Sequence, residues 1–62
     1  MKYYVIVKFE VIGNDEDEII DELVSIKKMV TDVYDNNFDI KSIENNDNTI
    51  EVSKVNERWF MQ

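Results

Sequence analysis

The sequence predicts an α+β domain of order β-α-β-β, with one helix packed on a small antiparallel or mixed sheet and a short C-terminal arm or fourth strand. Three observations lead there. Residues 2–12 alternate as a strand does, residues 15–35 carry apolar side chains at helical spacing, and Asn45-Asn46-Asp47-Asn48 separates two short apolar runs. At 62 residues the chain is read as a single domain, 1–62.

In the first strand Tyr3, Val5, Val7, Phe9 and Val11 share one face, and Tyr4, Ile6, Lys8, Glu10 and Ile12 the other. Gly13 ends it. Asn14 and Asp15 are good helix caps, and either Asn14 to Asp17 or Asp15 to Glu18 has nearly the spacing of a capping box. Ile19, Leu23, Ile26, Val30 and Val33 then recur at steps of four and three. They form one stripe joined by Tyr34, with Ile20 and Val24 beside it. Asp35-Asn36-Asn37 is a helix stop, because Asn tolerates the left-handed conformation. Residues 38–44 predict a second strand, with Phe38 and Ile40 on one face and Ile43 on the other. Residues 49–55 predict a third, with Ile50 and Val52 on one face and Val55 on the other. The polar loop between them makes a hairpin. The tail from Glu57 to Gln62 has no clear period and fits a short strand, a helical turn or an ordered arm. A right-handed crossover places the helix on one face of the sheet. With strand order first, third, second, the first strand is an edge. Such a long hydrophobic edge, with Lys8 alone as a protecting cation, invites pairing with another chain.

Composition narrows function by exclusion. Fourteen Asp and Glu against seven Lys and Arg give a net charge of −7, and there is no His, Cys or Pro. No imidazole base, thiolate or disulfide exists, and no zinc, haem or iron–sulfur site of the usual ligand types. Net negative charge opposes direct binding to nucleic acid or to an anionic membrane. A chain this short buries only about 60% of its unfolded surface, and small domains with neither disulfide nor metal commonly gain stability from a partner chain. Yet 44% of residues are hydrophobic, which is too apolar for disorder. A folded homodimer or higher oligomer is the expectation. The apolar run at the N-terminus is broken by Lys8 and Glu10 and is too short for a signal segment or membrane span, so the chain reads as cytoplasmic.

The acids Asp15, Glu16, Asp17, Glu18, Asp21 and Glu22 are the most visible local feature. They serve a helix N-terminus by opposing its positive dipole end, and they also form a candidate acidic surface. The calcium-loop pattern is not met, because the glycine precedes the acids and the terminal bidentate Glu is missing. As a mimic of DNA phosphates the acids need rows at about 6–7 Å, the spacing implied by duplex charge density. Carboxylates in a cleft can do acid–base work, but no phosphate-binding loop, nucleophile elbow or Ser/Lys pair accompanies them. No catalytic residue, metal ligand or cofactor is assigned, and the chain reads as a non-enzyme. Arg58, Trp59 and Phe60 combine hot-spot residue types beyond the predicted sheet. With Tyr4, Ile6, Ile43 and Val55 on the sheet face opposite the helix, they are the candidate interface toward another copy or a target.

The acids from Asn14 to Glu22, the β-α-β-β plan and the Arg58-Trp59-Phe60 end give the chain a character of class. In size, acidity and lack of catalytic residues it resembles the small proteins that bacteriophages use to inhibit bacterial immune systems. That resemblance implies an anti-defence inhibitor acting in the host cytoplasm as a homo-oligomer. Its implied partner is a host protein, for example a nucleic-acid-binding one. It matches no motif and carries over no residue role. A DNA mimic and an accessory subunit of a larger assembly are the alternatives.

Overall fold

The computed structural model describes residues 1–34 and 38–61. The elements in chain order are α1 (Glu16–Tyr34), β1 (Ile43–Glu44), β2 (Thr49–Ile50) and α2 (Val52–Phe60). The class is α+β: two helices and one two-stranded antiparallel sheet.

Helix α1 begins as its sequence directs. The Glu18 N–H donates to Asp15 Oδ1 at 2.9 Å, and the Asn14 N–H donates to the Glu18 carboxylate, so the two side chains satisfy otherwise orphaned donors from both directions. Glu16, Asp17 and Glu18 fill the first turn, at the positive end of the helix dipole. The expected stop at Asp35-Asn36-Asn37 lies outside the described residues.

The hairpin is present but short. Ile43 pairs with Ile50 and Glu44 with Thr49. The loop closes through the Asn45 N–H donating to the Asn48 carbonyl at 2.9 Å. Asn45 Oδ1 accepts from the N–H groups of Asp47 and Asn48 at 2.8 and 2.6 Å, an Asx turn. Each strand is two residues long, against the seven predicted for 38–44 and for 49–55.

The main correction lies after Ile50. Residues 52–60 form helix α2 where the end of a third strand was predicted, followed by a tail left open to a strand, a helical turn or an arm. Val52, Val55 and Trp59 stand at steps of three and four. A strand would turn Val55 away from Ile50 and Val52, whereas a helix brings Val52, Val55 and Trp59 onto one face. That face packs on α1. Val55 is fully enclosed at 0% exposure, with Ile20, Leu23 and Val24 of α1 completing the buried centre. Val11, Ile19, Ile26, Ile40, Ile43, Ile50 and Trp59 pack around it, each partly buried. The core is therefore centred on the Ile20–Val24 side of the predicted stripe, and Val33 and Tyr34 at its far end are exposed. The reason is that α2, not a broad sheet, is the partner of α1.

The second correction concerns the predicted first strand. Residues 1–13 belong to no helix or ladder. Val11 is half-buried, but Tyr3, Val5, Val7 and Phe9, read as the core-facing set, are all exposed. A strand is completed by a neighbour's backbone, and a hairpin of two residues per strand offers little edge to pair with. The consequence shows in the shape. The radius of gyration is 12.2 Å, against about 10.6 Å for a compact 62-residue domain.

Candidate interaction surface

Two features could contact a partner, and they lie in different parts of the molecule. The first is the seam between the α1 N-terminus and α2. Placing Val55 in the core turns Lys54 and Arg58 toward the acids of α1. Lys54 Nζ lies 2.6 Å from Glu16 Oε1, and the Arg58 guanidinium reaches Asp21 Oδ1 at 2.8 Å and Asp17 Oδ1 at 3.1 Å. Arg58 also donates to the Asp17 carbonyl at 3.2 Å. The hydrogen bond to Glu16, then that carboxylate's charge, raises the Lys54 pKa above 10.5. The hydrogen bonds to Asp17 and Asp21 likewise raise that of Arg58. These pairs are solvent-exposed and contribute little stability individually; the side of α1 on which α2 sits follows from Val55 packing against Ile20, Leu23 and Val24. Between the helices they span a shallow cleft of about 340 Å³ that also touches Ile20, Glu57 and Met61.

This geometry re-sorts the predicted acidic surface. Glu16, Asp17 and Asp21 are paired with the chain's own cations, while Asp15 and Glu18 hold the helix cap. Among the described residues, no group of three or more carboxylates is arranged to hold a metal ion. A continuous row of free acids does not form at this end of α1.

The predicted interface residues are also separated. Val55 is interior and unavailable to any partner. Trp59 packs against the core, with Lys27 Nζ 5.1 Å from its ring centre in a cation–π contact. Arg58 is in the ion-paired seam. Phe60, at the end of α2, is 82% exposed with Met61 beside it. The expectation that Arg58, Trp59 and Phe60 act as one anchor is therefore corrected: helical geometry points consecutive residues about 100° apart. The spacing of Val52, Val55 and Trp59 was the signal that could have shown it.

Tyr4 and Ile6 do lie together, on the second feature. Residues 1–12 form an arm outside the helices and the hairpin, on which Tyr4 is 89% and Ile6 80% exposed. Between the arm and the body runs an open groove of about 2120 Å³. Its body side is lined by Ile19, Leu23, Ile26 and Val30 of α1 and by Ile43 and Ile50 of the hairpin. Of the predicted interface set, Tyr4, Ile6 and Ile43 face this groove. The molecule exposes 5808 Å² in all. A folded monomer of its 7.4 kDa mass exposes about 4,200 Å². The excess of about 1,600 Å² exceeds the ~800 Å² that each partner buries in a standard interface.

No helix among the described residues is long and apolar enough to cross a membrane. No known protein family, curated protein or solved structure matches the chain.

Proposed function

We propose that the chain is a small non-enzymatic interaction protein that works as a homo-oligomer by binding a host protein directly, in the manner of the phage inhibitors of bacterial immunity it resembles. The observation that carries this reading is the exposed apolar arm and its groove, on a molecule whose total exposed area exceeds that of a compact monomer of its mass by about 1,600 Å². Self-association occupies the arm, and the target meets what the oligomer still presents: a net charge of −7 and the exposed Phe60–Met61 tip of α2. A basic host protein, such as one that binds nucleic acid in the bacterial cytoplasm, fits that surface by charge. A DNA mimic is less favoured, because three of the six acids at the head of α1 are paired with Lys54 and Arg58.

The test is functional. The chain is expressed in bacteria that each carry one defined immune system, and phage plating is counted. A rise of tenfold or more against one system, lost on Phe60→Ser, supports the reading. Unchanged plating across nuclease-based systems, with the chain soluble and abundant, overturns it.

A further inference from the structure

We propose that the arm of residues 3–11 is an exchanged segment: in a two-fold dimer each copy's arm lies in the groove of the other and covers its α1 stripe. The proposal rests on reading the arm as an association surface, and it names the occupant.

Size, shape and charge each favour an arm of this same chain as that occupant. With the arm as one wall, the groove measures about 2120 Å³, above the ~300–1,000 Å³ of small-molecule sites, so a chain segment suits it better than a metabolite. Nine extended residues reach about 30 Å. Helix α1, at 19 residues, runs about 28 Å. The groove is apolar along α1, while on the hairpin Ile43 and Ile50 stand among Glu44, Asn45, Asn48 and Thr49; the arm offers Tyr3, Val5, Val7, Phe9 and Val11 at the two-residue period that presents one face continuously. The arm carries Lys2 and Lys8 against Glu10, a net +1, while residues 13–62 hold the other five cations and thirteen acids, a net −8. A strand of opposite sign therefore meets an acidic body.

The arm's second face decides between its own groove and a partner's. With Val5, Val7 and Phe9 against a groove, Tyr4, Ile6 and Ile12 point outward. An arm folded onto its own body leaves these three in water. Two exchanged arms pass each other near the two-fold axis, so each covers the outer face of the other. Gly13 lets the root of the arm sit close against the start of α1, where a Cβ would lie 3.0 Å from both Glu18 Cβ and Ile19 Cδ1. If both copies bury their excess area, the interface totals about 3,200 Å², within the ~2,000–5,000 Å² of obligate homodimers. Exchange of an identical element is a low-cost route to such a dimer.

The chain lacks cysteine, so introduced thiols report without background. Separate Val7→Cys and Val30→Cys variants of the full chain are mixed and oxidised, and the double variant is oxidised alone. Sedimentation equilibrium of the unmodified chain at tens of micromolar gives the mass. Exchange predicts twice 7.4 kDa, a covalent heterodimer from the mixture, and Val7→Lys as a monomer that keeps its helical circular dichroism. Three results each overturn it: a monomeric unmodified chain, a double variant that closes as a linked monomer, or a dimer untouched by Val7→Lys. If Val7→Lys unfolds, the thiol mixture alone decides: exchange gives heterodimer in excess over the two homodimers, and a statistical mixture overturns it. No target enters these measurements. A monomer that still blocks an immune system overturns exchange and leaves the binding function standing, and an exchanged dimer with no effect on phage plating does the reverse.

Discussion

Val55 is the residue on which sequence and structure diverge most, and its truncation tests the structure directly. It is fully enclosed against Ile20, Leu23 and Val24. Val55→Ala removes two buried carbons at about 0.8 kcal/mol each. The void left at a site with no solvent to fill it adds about 1 kcal/mol, and the better helix propensity of Ala returns about 0.5 kcal/mol. The net loss is about 2 kcal/mol. Against a total of about 3–9 kcal/mol for a chain of this size, that is a large fraction. Thermal unfolding followed by circular dichroism at 222 nm reads it as a fall in Tm of about 8–16 °C, at 4–8 °C per kcal/mol for a small domain. Ser53→Ala is the control. Ser53 is exposed on α2, so Ala there raises Tm slightly if the segment is helical and lowers it if the segment is a strand. A Val55→Ala change within 2 °C of the parent, together with a destabilising Ser53→Ala, would place Val55 on an open strand face and refute the α1–α2 core.

Further outcomes follow from the polar contacts. Asp15→Ala removes the acceptor for the Glu18 N–H and costs about 1 kcal/mol, measured by urea unfolding, while Asp15→Asn costs much less. Arg58→Met lowers Tm in dilute buffer, and the difference shrinks in ~1 M salt, because exposed pairs are screened there. Lys54 has a raised folded pKa, so its pairing with Glu16 contributes fully below about pH 10.5 and is lost as pH rises through the higher folded value. The Tm gap between the parent and Lys54→Met therefore closes at strongly alkaline pH and is constant near neutrality. Millimolar calcium leaves Tm unchanged, since the acids at the head of α1 are engaged in caps and ion pairs; a rise would reveal a cation site there.

Local signals determined several features without help from tertiary contacts. The start of α1 was legible because Asp15 and Glu18 act on backbone groups within one turn. The hairpin loop was legible for the same reason, since Asn45 binds the N–H groups two and three residues on. The stripe on α1 told that the helix would be amphipathic. It did not tell which edge of the stripe would be most buried, because that depends on where the partner element stands. The segment after Ile50 was ambiguous on its own: Ile50 and Val52 read as strand alternation, while Val52, Val55 and Trp59 read as helix. The helical pattern prevails in the structure because it puts Val55 into the core and Arg58 onto Asp17 and Asp21 in a single turn of geometry, gains that exist only once α1 is present. Residues 2–12 show the converse. Their alternation is as strong as any in the chain, yet a strand's backbone is satisfied by another strand and not by its own sequence. Sequence by itself determined what these residues are suited to become; the tertiary structure, which offers the arm only a two-residue hairpin edge, decided that within one protomer they remain unpaired.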